Sequence, residues 1–393
     1  MSVALREPLA VSLRRGVPLV WAHGDGRERR ALLGWGERFR ASARGPERFR
    51  TLNFAFRDFA AGCEPGQVPL AFVAAAFSAD SAAESVLVVP DVVGRWHRGR
   101  LDLPPGSTVP EPTEPSEFEE LDFAAGTLTR EQYRRAVARA VELIAAGEVE
   151  KIVLARDLIA TGTHPIDLSA VLARLQAANP ESWTFHIDGT FGSSPELLAA
   201  VHGDTVYSRV LAGSAPVTGR PEVDTNAARA LMASGKDHME HAYAARSVSA
   251  RLAAVADVTI GRPEILRLPT IMHLSTEVTG SLTEPLSALE VAALIHPSAA
   301  VCGTPTERAA QLIAELEGLD RGRYAGPVGW VDGEGNGQFA LALRSGQLAP
   351  DACSVRLFAG GGIVAGSVPS DELAETAQKF LPMYQALSPV AQP

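Results

Sequence analysis

Apolar side chains recur at helical spacing in the middle of the chain. Four of them follow one another at intervals of four, four and three positions: Tyr133, Val137, Val141 and Ile144. This spacing places all four on one face of a helix. Thr129 and Gln132 fit a capping box just before that face begins. The pattern therefore predicts an amphipathic helix that starts near residue 130 and ends at Gly147.

Other segments favour strands. Residues 72–77 and 86–89 are short apolar runs between turn residues, and the β-branched run that starts at Lys151 is also typical of a strand. Further helices are predicted over 168–178, 290–295, 306–317 and 370–387, and a long helical stretch within 224–256. Short strands and Gly-rich turns are predicted over 324–365. Because strands and helices do not alternate regularly, the pattern predicts an α+β fold with large, mostly antiparallel sheets and surrounding helices.

A proline-rich stretch divides the chain. Five prolines are interleaved with glutamates between residues 104 and 120: Pro104, Pro105, Pro110, Pro112 and Pro115. Such a composition favours an extended, solvated connector. We therefore predict two regions, a variable 1–120 that contributes strands to the same α+β unit, and 121–388, which carries the motifs described below.

The composition is that of a globular protein and argues against several other classes of protein. The 393 residues are 46% hydrophobic and 21% charged, which is ordinary for a globular protein. A net charge of −10 argues against a nucleic-acid or anionic-membrane partner. The three cysteines are widely spaced, so a disulfide framework or structural zinc is not expected. No apolar run approaches the roughly 18 residues that span a bilayer. A cytoplasmic protein is expected.

Lysine is rare in this chain. Of the 36 basic residues only three are lysines: Lys151, Lys236 and Lys379. Lysine can lose its proton at accessible pH when it is buried, whereas arginine cannot. A chain that uses arginine elsewhere therefore points to lysine where an amine is required, most clearly at Lys151 and less so at the other two. The alternative for Lys151 is an exposed charge at a strand end.

Paired carboxylates form a second candidate. Two pairs are spaced three apart on predicted helices: Asp237 with Glu240, and Glu372 with Glu375. This spacing places each pair on one helix face, and two such pairs could hold a hard cation such as Mg²⁺. The alternative is a solvated acidic face. His238 and His241 flank Glu240, but a zinc site would need a third ligand nearby.

The remaining candidate site residues are glycines and one glutamate. The run 360–362 would let backbone N–H groups approach an anion, or it could form a hairpin. Residues 333–337 are expected to form a loop between strands. Ser194, Pro195 and Glu196 fit the start of a helix. The helix dipole would then lower the pKa of Glu196, whereas a general acid needs a raised pKa.

Seven ordered segments over residues 125–385 together resemble the chorismate-utilising enzymes, most closely the isochorismate synthases of siderophore and menaquinone pathways. The segments are KIVLAR at Lys151, SSPELL around Glu196, LAGSAP from Leu211, SGKDHMEH around Glu240, HPSAAVCGTP from His296, the glycine-rich run from Tyr324, and RLFAGGG through Thr376. The resemblance makes 121–388 a chorismate-binding catalytic domain.

The resemblance implies a Mg²⁺-dependent, reversible conversion of chorismate to isochorismate, in which water attacks C2 and the C4 hydroxyl leaves. Lys151 matches the general base and Glu196 the general acid. Glu240 and Glu375 match direct Mg²⁺ ligands, with Asp237 and Glu372 behind them. The positions that match substrate contacts are Gly213, Ser214, His273, Ala300, Tyr324, Arg344, Gly360, Gly361 and Lys379. A base that activates water should be largely shielded from solvent, so Lys151 is expected to be buried.

Two rival functions stay open. A salicylate synthase would go on to eliminate pyruvate, and a silent chorismate-binding subunit would bind without turnover. Relatives that make salicylate or anthranilate tend to carry Thr where this chain has Ala300, and anthranilate synthases carry Gln where it has Lys151. Two positions depart from the pattern common in the family: Val210, where Pro is frequent, and Gln338, where Glu is common. Menaquinone, siderophore and salicylate pathways all use isochorismate.

No nucleic-acid or membrane partner is expected, and the family implies a monomer.

Overall fold

The computed structural model describes residues 3–25, 28–114 and 120–388. Pro115 of the predicted connector lies outside these ranges. The strands, in chain order, are β1 (Val3–Arg6), β2 (Leu19–His23), β3 (Arg30–Trp35), β4 (Phe39–Ala43), β5 (Leu70–Ala74), β6 (Ser85–Val89), β7 (Val92–His97), β8 (Arg100–Leu103), β9 (Asp122–Ala125), β10 (Lys151–Thr161), β11 (Trp183–Ile187), β12 (Thr190–Ser194), β13 (Leu197–His202), β14 (Thr205–Pro216), β15 (Ala256–Ile260), β16 (Glu264–Arg267), β17 (Ile271–Leu282), β18 (Gly303–Thr304), β19 (Pro327–Asp332), β20 (Gly337–Leu341), β21 (Ser345–Leu348) and β22 (Ser354–Ile363).

The helices are α1 (Leu9–Leu13), α2 (Arg48–Ala61), α3 (Arg130–Ala145), α4 (Leu168–Ala178), α5 (Pro221–Ala233), α6 (Gly235–Leu252), α7 (Ala288–Ile295), α8 (Thr306–Glu317) and α9 (Pro369–Leu387). Within the described ranges, no helix is both long and apolar enough to cross a lipid bilayer.

Two antiparallel sheets form the centre of the fold. The first runs in the order β1-β8-β7-β3-β2-β11-β12-β21-β22-β10-β18, with β9 also on β10, and the second in the order β15-β17-β14-β13-β20-β19-β5-β6-β4, with β16 on β17. Strands from both sides of the proline-rich connector lie in each sheet. This architecture confirms the predicted α+β fold with large antiparallel sheets.

The predicted amphipathic helix is α3. Thr129 and Gln132 form both hydrogen bonds of the capping box. Tyr133 and Val137 are fully buried and belong to the same apolar cluster as Ile152 and Leu154 of β10. Burial of this face, rather than helix propensity alone, holds α3 against the first sheet.

The long helical stretch predicted within 224–256 is present, but a break at Ser234 divides the region into α5 and α6. Ser234 adopts an extended backbone conformation between α5 and α6, and its hydroxyl accepts a hydrogen bond from the backbone N–H of Asp237. A serine that caps an N-terminus in this way starts a new helix. The break matters because it orients the first turn of α6, which carries Lys236 and Asp237.

Strand β10 is held along both edges. One edge pairs with β22 from Ile152 to Thr161. The other edge meets β18 and β9 at its two ends, and side chains of the α8 region cover the gap between them. There Glu317 accepts a hydrogen bond from the N–H of Ala155 at 2.7 Å, and Arg321 donates to the carbonyl of Val153 at 2.7 Å. This ion pair therefore substitutes for a missing strand beside the segment that begins at Lys151.

Candidate active site

A small cavity lies where the end of β22 meets β14, β17, α6 and α9. Its free volume is about 50 Å³. Most of the residues predicted to form a site line it: Glu196, Gly213, Ser214, Glu240, His273, Ala300, Tyr324, Arg344, Gly360, Gly361 and Lys379. The structure thus brings together side chains that are widely separated in the sequence.

Four predicted site residues do not line the cavity but lie close to its lining: Lys151, Asp237, Glu372 and Glu375. We call the carboxylates of Asp237, Glu240, Glu372 and Glu375 the acidic wall. Lys151 contacts Glu240, and Glu375 contacts Lys379. Asp237 packs beside Gly213, since a Cβ built on that glycine would lie 3.0 Å from the Asp237 Cβ. Glu372 lies beside Gly361 of the lining. Each of the four residues is therefore next to a residue that lines the cavity.

Glu196 does not begin a helix, and that prediction was wrong. Ser194 is the last residue of β12 and Leu197 the first of β13, so Glu196 lies in the sharp connection between two strands. Its backbone N–H donates to the Ser194 hydroxyl. Burial raises the pKa of Glu196 to about 8, despite a backbone hydrogen bond with Leu211 and the positive charge of Lys151. The carboxyl group therefore keeps its proton at neutral pH.

Lys151 is completely buried, so it is not an exposed strand-end charge. Its Nζ lies 3.4 Å from Glu240 Oε1 and also 3.4 Å from the Glu240 carbonyl oxygen, to which it donates. Glu240 lines the cavity and Lys151 does not, so the amine lies directly behind this part of the cavity lining.

The glycine run 360–362 lies inside β22 and does not form a hairpin. A methyl group at Gly362 would overlap Glu240 Oε1 and would lie 2.9 Å from Lys151 Cε. One at Gly361 would lie 3.2 Å from Glu372 Oε2. The missing side chains therefore leave the space in which the buried amine and the carboxylates lie.

Each of the three lysines pairs with one of three carboxylates around this strand. The distances are 3.4 Å for Lys151–Glu240, 2.9 Å for Lys236–Glu372 and 2.5 Å for Lys379–Glu375. Lys379 also donates to the Gly360 carbonyl at 2.9 Å. Lysine rarity was therefore a signal for all three positions, although sequence reasoning gave Lys236 little weight.

The carboxylates interact with one another as well as with the lysines. Burial raises the pKa of Glu240, and the charge of Lys151 only partly offsets it. Burial and the neighbouring Glu375 raise the pKa of Glu372. For Glu375, burial acts in the same direction, but Lys379 outweighs it and the pKa is lowered. At least one carboxylate of the cluster therefore stays ionised with a lysine beside it.

Arg344 supplies a buried cation. Its guanidinium donates from Nη2 to His273 Nε2 at 3.2 Å. Burial and the charge of Arg344 lower the pKa of His273, so this ring is neutral and its Nδ1–H faces the Gly213 carbonyl at 3.2 Å. Among the described residues, no carboxylate forms an ion pair with Arg344. A buried, unpaired guanidinium suits a carboxylate of a ligand, which it can bind through two hydrogen bonds.

The two histidines beside Glu240 have separate partners. His241 shares a 2.7 Å hydrogen bond with the Thr276 hydroxyl, and burial lowers its pKa to about 4. His238 donates to the Met232 carbonyl at 2.9 Å. Over the ranges that the structure covers, no group of three or more His, Cys, Asp or Glu side chains converges on one point that could hold an ion. Glu240, Glu372 and Glu375 are each turned to a different lysine instead.

The chain resembles known proteins over most of its length. The family described as chorismate binding enzyme matches residues 107–388. MenF of Mycobacterium tuberculosis is 37% identical over 343 residues, which cover 83% of this chain and 88% of that protein. The isochorismate synthase DhbC of Bacillus subtilis is 39% identical over 271 residues, or 65% of this chain and 68% of the relative.

Two solved structures share the fold. The crystal structure of DhbC from Bacillus anthracis has a TM-score of 0.80 and 32% identity, and the match covers 94% of this chain and 96% of that one. The structure of MenF from Escherichia coli has a TM-score of 0.81 at 22% identity, with 99% and 94% covered.

Proposed function

The chain belongs to the chorismate binding enzymes, and on that premise we propose that it is an isomerase, an isochorismate synthase that interconverts chorismate and isochorismate. The observation that carries the proposal is Glu196, a buried carboxyl group that keeps its proton at neutral pH. It shares a cavity with the unpaired guanidinium of Arg344. A protonated acid beside a cation suits a dianion that must lose a hydroxyl group.

Substrate binding relies on the cationic and donor groups of the cavity. Arg344, held by the neutral His273, binds one carboxylate of chorismate. Burial raises the pKa of Tyr324 to about 12, so its hydroxyl keeps its proton and can donate to the substrate. Gly213, Ser214, Ala300, Gly360, Gly361 and Lys379 form the remaining contacts. A net-acidic protein thereby offers a local site for a dianion.

Two proton transfers complete the reaction. Lys151 accepts a proton from the water that attacks C2, and Glu196 donates its proton to the C4 oxygen as the C4–O bond breaks. One water enters and one leaves, so the product is an isomer of the substrate. Each general acid or base contributes typically about 10²–10⁴-fold in rate. The reverse reaction exchanges the two roles.

The acidic wall has the donor chemistry that suits Mg²⁺. Carboxylate oxygens are the ligands this ion prefers. Three carboxylates, of which only that of Glu372 is fully buried, lie around β22, and each is paired with a lysine that the ion would displace. Glu240 and Glu375 would hold the ion, with Asp237 and Glu372 behind them. When bound, Mg²⁺ supplies positive charge that neutralises a substrate carboxylate.

The proposed site residues fall between positions 151 and 379, so we assign the chemistry to the region 121–388 and a supporting role to 1–120. We further propose that the enzyme acts in the cytoplasm as a monomer on a small molecule, without a nucleic-acid or membrane partner. Pathways to menaquinone or siderophores are the contexts that the relatives suggest.

Product analysis tests the proposal. Purified protein incubated with chorismate and Mg²⁺ should give isochorismate, resolved from chorismate by chromatography, and isochorismate should return chorismate. Omission of Mg²⁺ with a chelator present should abolish both conversions. Salicylate formed without a second enzyme would assign the protein to the salicylate synthases. Tight chorismate binding without turnover would make it a silent subunit.

The pH dependence of turnover tests the role of Glu196. Its pKa of about 8 lies above the ordinary value, so the acid form predominates below pH 8 and is lost as the pH rises. The forward kcat should therefore fall about tenfold per pH unit above about pH 8. Glu196→Gln should lower kcat and abolish this limb of the profile. A variant with the same limb would assign the titration to another group.

A further inference from the structure

The ion pair between Lys236 and Glu372 differs from the other two at the acidic wall. The side chain of Lys236 is 37% exposed, whereas that of Glu372 is 2% exposed. Lys151 is completely buried, and Lys379 is 11% exposed and tied to the Gly360 carbonyl. Of the three ammonium groups, Lys236 therefore has the most direct path to solvent.

Lys236 also lies beside one of the carboxylates of the acidic wall. Its ammonium lies 2.9 Å from Glu372 Oε1. Lys236 extends from the first turn of α6, which Ser234 caps, and Glu372 lies in the first turn of α9. The pair thus joins the two helices that carry the proposed ligands Glu240 and Glu375.

We propose that Lys236 is a tethered competitor for the divalent cation: its ammonium compensates the charge of Glu372 while no ion is bound, and it withdraws to solvent when the ion binds. This inference rests on the proposed function, because it assumes that the wall binds Mg²⁺. The physical reason is that a cation near Glu240 and Glu375 repels an ammonium beside Glu372. The cost of displacing Lys236 weakens ion binding, so the metal exchanges readily.

Calorimetric titration of the full chain with MgCl₂ at 0.15 M salt tests this inference without substrate or turnover. Lys236→Met should lower the Kd for Mg²⁺ by about tenfold, because the competing charge is gone. Lys236→Arg keeps the charge and should bind the ion with nearly wild-type affinity. Arg246→Met removes one exposed charge from the same helix and should also leave the Kd unchanged.

The wild-type protein offers an independent measurement. Labelling with [¹³Cε]lysine gives three side-chain NMR signals, one for each lysine, and Lys236→Arg identifies the signal of Lys236 by its loss. Addition of Mg²⁺ should move the Lys236 signal towards the position of a free lysine and narrow it. This readout does not require Lys236→Met to fold.

The outcomes separate this inference from the proposed function. If Lys236→Met binds Mg²⁺ with unchanged or weaker affinity, or if the Lys236 signal does not respond to bound Mg²⁺, the competitor role is wrong even when the enzyme makes isochorismate. If wild-type protein neither binds Mg²⁺ nor converts chorismate, the proposed function itself is overturned.

Discussion

Replacement of Lys151 by methionine should lower kcat for isochorismate formation by about 10²–10⁴-fold, the range typical of a lost general base. Methionine has nearly the length of lysine and is apolar, so it fits a fully buried position at the start of β10. The variant should keep the fold, with some loss of thermal stability because Glu240 loses its partner. Initial rates at saturating chorismate and Mg²⁺, together with near-ultraviolet circular dichroism, check both expectations.

Lys151→Arg is the matched control for this experiment. Arginine keeps a positive charge for Glu240 but does not release a proton at accessible pH. If the amine acts as a base, both variants should be inactive to a similar degree. Activity of Lys151→Arg within tenfold of wild type would show that only the charge is needed, and Lys151 would then be an electrostatic partner of Glu240.

Gly362→Ala should have an effect of similar size through geometry alone. The new methyl group would overlap Glu240 Oε1 and press on Lys151 Cε. Because β22 is paired with β10 along this stretch, the strand cannot easily move away. We expect a loss of activity of about 10²-fold or more, as for other small displacements of catalytic groups, and a destabilisation of about 1–3 kcal/mol.

Alanine substitutions at two other glycines serve as comparisons for Gly362→Ala. Gly235 begins α6 with nothing within 4 Å of an added Cβ, so Gly235→Ala should keep full activity. At Gly361 the nearest atom is Glu372 Oε2 at 3.2 Å, so Gly361→Ala should be intermediate. Kinetics and thermal melts of the three variants provide the comparison. Near-wild-type turnover by Gly362→Ala would show that Glu240 and Lys151 tolerate displacement.

Local signals predicted much of the fold. The capping box at Thr129, the spacing of apolar residues in α3 and the β-branched run of β10 depend on neighbours in the sequence, and all three predictions are confirmed. The break at Ser234 was missed because residues 224–256 have helical composition throughout. Ser234 begins a new helix because its hydroxyl accepts a hydrogen bond from the backbone N–H of Asp237. This bond is visible only in the structure.

The environment of Glu196 could not be predicted in the same way. Ser-Pro-Glu fits a helix start locally, but strands β12 and β13 belong to different sheets, and the chain must turn sharply between them. The cavity that encloses the carboxyl group is also lined by Tyr324, Arg344 and Lys379, which are distant from Glu196 in the sequence. The ion pair of Lys236 with Glu372 joins helices 136 positions apart and was likewise invisible in the sequence.

The ion pair of Glu317 with Arg321 protects the protein from association through its own strands. An uncovered stretch of strand offers free N–H and C=O groups to any extended chain, which is a route to aggregation and domain swapping. Between β18 and β9 these two side chains occupy the hydrogen-bonding positions of Val153 and Ala155. An intruding strand would have to displace two buried charges, so the segment beside Lys151 is closed to intermolecular pairing.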